Sequence, residues 1–356
     1  MRGRHFVKLL VSALDHSANI HLKALKKKLS EGVEFVGIFD KSLGDALIDL
    51  SALAIMGFVD VMKKLPVFLK LNRDMVELAA TADKVLLIDS SGFNLPLAKK
   101  IRKRYPGKEI VYYILPQAWA WKKKRIPILE RTIDKLASIL PFESDYYSET
   151  APIEYVGHPL LDEITLYKQG LSNTGKIAFM PGSRASEIKK LMPVYKDLRT
   201  RLNCEAYLMI PPHFDALQVN TLYGNLSGFK PVHHSHAMLN ECDFAFICSG
   251  TATLEAALIG LPFVLSYIAK PIDFMIAAKV VKIEHIGLGN ILFNHFKRDL
   301  LHPELIQADV TVDSLYHAYN TMDRTEFFNK AVELRTYLQH GSAARVAQII
   351  EDSNGY

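Results

Sequence analysis

Short apolar runs recur along the chain, each closed by small or polar residues and followed by a segment of helical period. The first half carries "HFVKLLVSA", "VEFVGIFD", "KVLLIDSS", "EIVYYILP" and "LASILPF". The second half carries "KIAFMPGSR", "EAYLMIPP", "DFAFICSGT" and "PFVLSYIA". Apolar runs of this length alternating with helical patterns predict βαβ units on a parallel sheet. The series restarts at Lys176, after the polar stretch "YKQGLSNTG". The pattern therefore predicts an α/β chain of two doubly wound, Rossmann-like domains facing a cleft, the first over 1–170 and the second over 171–340. The tail "FFNKAVELRTYLQHGSAARVAQIIED" reads as one or two closing helices, with the helix near 340–356 packing back on the first domain. In such sheets ligands sit beyond the C-terminal strand ends, which makes the cleft the expected active site.

Composition narrows the picture. A chain of 356 residues exceeds one ordinary core and fits two. With 49% apolar and 23% charged residues, it is a globular rather than a disordered chain. The net charge of +5 suits an anionic substrate or a membrane surface, whereas a nucleic-acid binder would show a denser basic stripe. Cys204, Cys242 and Cys248 lack CxxC spacing, which points to a reducing, cytoplasmic setting and no metal site. The N-terminal "MRGRHFVKLLVSALDHS" reads as a first strand, because Asp15 and His16 interrupt its brief apolar run where a signal peptide needs small residues. No segment reaches the roughly 18 uncharged apolar residues of a membrane span, so the expected protein is soluble or lies on a membrane surface.

Two loops suggest an anion site. In "MPGSRASEI" a strand ends at Pro181-Gly182-Ser183-Arg184 and a helix carrying Glu187 follows. Backbone amides, the Ser183 hydroxyl and the Arg184 guanidinium can together hold a phosphate at the positive end of the helix dipole. An ordinary turn with a surface arginine is the plainer alternative. In "CSGTATLEAALIG" a strand ends at Cys248, and Ser249-Gly250-Thr251-Ala252-Thr253 open a helix carrying Glu255. Gly250 lets a phosphate approach, and Glu255 can accept from a ribose diol, or simply be favourable charge near a helix N-terminus. Two such loops in one domain point to a diphosphate-bearing ligand. Neither GxxxxGK[ST] nor a GxGxxG after the first strand is present, so no nicotinamide or flavin cofactor is expected.

At this point the chain resembles a known family, the lipid-A-disaccharide synthases, inverting glycosyltransferases of the GT-B architecture. The resemblance runs along nearly the whole chain and rests on "LPQAWAWKKKR", "VGHPLLD", "MPGSRASEI", "SGTATLEAALIGLP", "KPIDFMIAAKVVKIEHIGLGNIL" and "PELIQ". It implies UDP-2,3-diacylglucosamine as donor, 2,3-diacylglucosamine 1-phosphate as acceptor, and a β-1,6-linked disaccharide 1-phosphate with UDP as products. It also implies no metal and no cofactor, and a cytoplasmic enzyme held peripherally at the inner membrane. Gly182, Ser183, Arg184, Glu187, Ser249, Gly250, Thr251, Thr253, Glu255 and Asn290 are then the donor-side candidates, with Glu304 and Gln307 beside them. The family's Gly-Glu-x-Ser-Gly-Asp motif is degenerate: Asp15 stands for its glutamate, Ser17 is retained, and Asn19 replaces its aspartate and cannot take a proton.

An inverting transfer needs one base for the acceptor hydroxyl. Asp89, at the end of "KVLLIDSS" and followed by Phe93 and Asn94, matches the family pattern, although it can also simply cap the next helix. Asp15 and Ser17 are acceptor-side candidates, as are Trp119 and Lys122, with core packing the alternative for the indole. The apolar, lysine-flanked segment 50–71 is the candidate acyl and membrane surface through Met56, Phe58, Val59 and Met62, with a buried helix–strand pair the alternative. A UDP-N-acetylglucosamine 2-epimerase or another GT-B UDP-sugar transferase is the competing expectation, and a nucleic-acid partner is not expected.

Overall fold

The computed structural model describes residues 7–48, 50, 65–212, 214–269 and 285–352. The chain divides into two compact units, Met1–Asp162 with His340–Tyr356, and Glu163–Gln339.

In the first unit the strands are β1 (Val7–Ala13), β2 (Val33–Ile38), β3 (Asp45–Ala46), β4 (Lys84–Ile88), β5 (Glu109–Tyr113), β6 (Lys135–Ser138) and β7 (Ile153–Tyr155). They pair in parallel in the order β3-β2-β1-β4-β5-β6-β7. Successive side chains of a strand point to opposite faces, so β1 splits its residues between two cores. Leu9, Val11 and Ala13 pack with Ala18, Leu22 and Leu25 of helix His16–Lys26. Leu10 packs on the other side with Met75, Phe93, Leu97 and Ile101.

Helix Ser342–Asp352 returns to this unit and places Val346, Ala347 and Ile350 in the first of those cores. Polar contacts fix it there. Asp162 accepts from the amides of Gly341 and Ala343 at 2.7 and 3.1 Å, and the hydroxyls of Tyr113 and Ser342 meet at 2.8 Å.

The second unit holds β8 (Lys176–Met180), β9 (Glu205–Ile210), β10 (Lys230–His233), β11 (Phe244–Cys248), β12 (Phe263–Tyr267) and β13 (Glu304–Ile306). Their order is β10-β9-β8-β11-β12-β13, again parallel throughout. The stretch after residue 162 goes with this unit. Lys168 donates its amide to the Ile259 carbonyl at 2.9 Å, and Asp243 accepts from the Gly175 amide at 2.6 Å.

Renumbered from its own first strand, each sheet begins 3-2-1-4-5-6, the dinucleotide-fold order. The order reverses between β1 and β4 in one unit and between β8 and β11 in the other, and ligands bind beyond the strand ends at such switch points. Register brings the strand ends level: Ala13 lies beside Ile88, and Met180 beside Ile247. All nine apolar runs in the sequence are interior strands, whereas β3, β7, β10 and β13 are the four sheet edges. Met56, Phe58, Val59 and Met62 lie outside the described residues. Among the described residues no helix is long and apolar enough to cross a membrane.

Candidate active site

At the first switch point the chain leaves β1 through Asp15 and leaves β4 through Asp89 and Ser90. Asp15 caps helix His16–Lys26: its Oδ1 accepts from the Ala18 amide at 2.8 Å and the Ser17 hydroxyl at 2.9 Å. Its Oδ2 accepts from the Ser90 hydroxyl at 2.9 Å, which joins the two loops. Asn19 donates to the carbonyls of Ala13 and Asp15 and accepts from the Asp40 amide, so the residue at the family's terminal aspartate position acts as a clamp.

Asp89 and Ser90 are consecutive non-glycine residues at φ +48° and +41°. Left-handed backbone of this kind costs about 1 kcal/mol or more per residue and persists only where the surroundings enforce it. The enforcement is visible. The Asp89 carbonyl accepts from the Tyr112 hydroxyl at 2.5 Å and from Asn94 Nδ2 at 2.8 Å, while Asn94 Oδ1 accepts from the Ser12 hydroxyl at 2.6 Å. Ser12, Asn94 and Tyr112 are all fully buried.

Burial raises the pKa of the Asp89 carboxyl, and the charge of Asp15 adds to the rise; the Ser90 amide and His21 oppose it without cancelling it. A carboxylate so raised is a better proton acceptor than an ordinary aspartate.

The "LPQAWAWKKKR" segment meets this loop through Arg125, which donates to the Ser91 hydroxyl at 3.0 Å. Trp119 is buried, edge-on to Phe142 at 5.0 Å and tilted against Tyr146 at 6.1 Å, so its indole is core packing. Lys122 is half-buried. His158 is buried, its Nδ1 accepts from the Leu160 amide, and burial together with the nearby His21 pushes its pKa down to about 3. It is a neutral structural group at physiological pH.

At the second switch point a pocket of about 360 Å³ is lined by both glycine loops, with His234 and Glu255 on its wall. Gly182, at φ +101°, has no room for a side chain: a Cβ would stand 2.6 Å from Glu187 Oε2 and 3.2 Å from Cys248 Sγ. Glu187 is buried and braces the loop, accepting from Arg184 Nη1 at 2.7 Å and from the Arg184 amide. The Arg184 side chain is 76% exposed, so its guanidinium is reachable while one of its nitrogens is held by Glu187. Helices Ala185–Arg201 and Thr251–Ile259 both begin at this pocket.

Glu255 meets His234 Nε2 at 2.8 Å. Burial works to raise its pKa, but the hydrogen bond from His234 and the charges of His234 and His236 bring it below the usual carboxylate value.

Thr253 and Asn290 are absent from the pocket lining. Thr253 is buried and donates to the Gly250 carbonyl at 2.8 Å, holding the loop from behind. Asn290 is buried with both ends of its carboxamide engaged: Nδ2 donates to the His302 carbonyl and Glu304, and Oδ1 accepts from the Leu301 and His302 amides. Glu304 in turn accepts from the amides of Ile286 and Gly287 at 2.9 and 3.0 Å. Ser249 donates to the Ile286 carbonyl at 3.5 Å, which ties this network to the glycine loop.

Sequence reasoning did not single out His234, although "VHHSHAM" contains the signal, nor did it separate Ser12 and Tyr112 from ordinary strand residues.

A family model described as Lipid-A-disaccharide synthetase matches residues 9–347. The chain belongs to the lipid-A-disaccharide synthase family. A lipid-A-disaccharide synthase of Helicobacter pylori (strain J99) is 48% identical over 353 residues, covering 96% of this chain and 97% of that protein. Among solved structures, the calicheamicin glycosyltransferase CalG4 superposes with a TM-score of 0.60 at 12% identity, covering 98% of each chain. A UDP-N-acetylglucosamine 2-epimerase superposes with a TM-score of 0.51 at 11% identity, covering 97% of this chain and 94% of that one. Fold alone thus fits both transferase and epimerase, and the sequence relatives decide for the glycosyltransferase.

Proposed function

We propose that this chain transfers the diacylglucosaminyl group of UDP-2,3-diacylglucosamine to the 6-hydroxyl of 2,3-diacylglucosamine 1-phosphate, with inversion at the anomeric carbon and release of UDP. The observation that carries this reading is the second-unit pocket, where two glycine loops, two helix N-termini and Arg184 converge at a switch point. Those groups supply positive potential to a leaving diphosphate. Glu255, held ionised, is suited to accept from the ribose hydroxyls.

In the first unit Asp89 takes the proton of the attacking hydroxyl. Asp15, Ser17 and the basic run from Lys122 to Arg125 serve the acceptor side. Asn290 acts indirectly by fixing the loop at 286–287 through Glu304. We assign no cofactor and no metal requirement to the transfer, and we place the chain at the cytoplasmic face of the inner membrane, with Met56, Phe58, Val59 and Met62 toward the acyl chains.

Incubation of the purified chain with both acylated sugars, followed by mass spectrometry, tests the reading. UDP and a disaccharide 1-phosphate are expected to appear together, at the same rate with and without EDTA when donor is saturating. Formation of free UDP without disaccharide, or of an isomerised UDP-sugar, overturns it.

A further inference from the structure

On the wall of the second-unit pocket, Glu255 belongs to a side-chain cluster whose two histidines the proposed transfer does not use. His234, His236 and Glu255 each offer one ligand atom, and those atoms lie within 4.8 Å of one another. The His234–Glu255 contact is 2.8 Å, and the two imidazole rings stand nearly perpendicular with centroids 6.3 Å apart.

Local backbone explains the convergence. Ser235 is extended, at φ −155° and ψ 148°. In an extended chain residues two apart face the same side, so both imidazoles flank one space. The Ser235 hydroxyl accepts from the Met238 amide at 3.2 Å as the N-cap of helix His236–Glu241, which fixes where His236 starts. All three residues are half-buried, shielded from bulk water yet within reach of it. His234 Nδ1 is buried without a hydrogen-bond partner, so no second bond resists a small turn of the ring.

Two imidazoles and one carboxylate are a donor set for a borderline divalent cation, and they leave a fourth tetrahedral position for water. Magnesium, which favours carboxylates and its own waters, is poorly matched. Metal–ligand bonds of about 2.0–2.1 Å put tetrahedral ligand atoms roughly 3.3 Å apart. The His234–Glu255 pair need only open slightly, and His236 need only close in.

We infer that His234, His236 and Glu255 form a site for zinc or a cation of its class, and that an ion bound there competes with the nucleotide for Glu255. The competition rests on the proposed donor pocket; the metal site itself does not. Such an ion would weaken donor binding and leave kcat at saturating donor unchanged.

Calorimetric titration of the metal-free full chain with Zn²⁺ tests the site, with Co²⁺ absorption spectra distinguishing imidazole and carboxylate ligands from Cys204, Cys242 and Cys248. One ion per chain is expected, without a thiolate charge-transfer band, and its affinity falls roughly tenfold or more in His236→Ala and in His234→Ala. Binding that survives both substitutions, or that shows the thiolate band, overturns the site.

Parallel UDP titrations of the metal-free wild type and Glu255→Gln keep the two ideas separable. UDP that binds through Glu255 and weakens Zn²⁺ binding supports the competition, and UDP that binds through Glu255 without affecting Zn²⁺ overturns it. UDP that fails to bind metal-free wild type overturns the donor-pocket reading, while the zinc site stands or falls on its own titration.

Discussion

At the first switch point the carboxyl proposed as the base rides on a glycine-free turn, Asp89-Ser90, that the chain adopts only under restraint from Tyr112, Asn94 and Ser12. At the second, the turn is relaxed by Gly182 and its pocket offers amides and a guanidinium. The carboxyls differ as well. Asp89 is half-buried beside another acid, which together with burial raises its pKa, whereas Glu255 is half-buried beside two histidines and falls below its usual value. One topology thus provides two kinds of site. Strain and like charge raise the carboxyl at the first, while glycine and helix N-termini gather backbone amides at the second, which are the features the proposed base and anion cradle call on. The difference lies in the loops, because the sheets beneath them are wound alike.

The sharpest way to break this contrast is Asp89→Asn. Turnover is expected to fall about 10²–10⁴-fold while UDP binding stays nearly intact. Steady-state rates and a UDP titration check it, and a variant keeping more than a tenth of wild-type turnover removes the base from the first site.

Gly182→Ala probes the second site. The added methyl meets Glu187 at 2.6 Å on a backbone at φ +101°, so the unit is expected to lose about 1–3 kcal/mol and UDP affinity to drop with it. Thermal melts read alongside UDP titrations test this, and unchanged melting with unchanged affinity would show that the loop relaxes freely.

Arg184→Ala removes a charged donor and also the partner of the buried Glu187, so it is expected to bind UDP about tenfold more weakly and to melt somewhat below wild type. Equal affinity for both proteins would take the guanidinium out of the cradle.

The smallest effect concerns stability and pH. The folded state raises the Asp89 pKa above its unfolded value, so ionisation disfavours folding as pH rises through the raised pKa. Asp89→Asn is therefore expected to melt above wild type at pH 7, with the gap narrowing as pH falls toward the unfolded value. A gap that widens in acid would mean the carboxyl is stabilised as an anion instead.

Legibility in the sequence followed burial. The interior strands were visible because a parallel strand covered on both faces must be apolar throughout, as in "KVLLI" and "FAFIC". The edge strands "DA", "IEY", "KPVH" and "ELI" were not, since they are short and solvated on one side and carry no such run. The glycine loops were legible too, because small residues between a strand and a helix leave a local mark. Asn290 and Thr253 looked like pocket residues and turned out to be buried braces, since a sequence records a side chain's chemistry without its direction.

Local pattern therefore set the alternation of strands and helices, the interior of both sheets and the two glycine loops, all of which depend on neighbours within a few residues. The tertiary structure alone joined Asp15 to Ser90 across 75 positions, set His234 against Glu255, returned the last helix to the first unit and bent Asp89 into its strained turn. Those features depend on side chains distant in sequence meeting where burial makes each charge and each hydrogen bond count for more than it would in water.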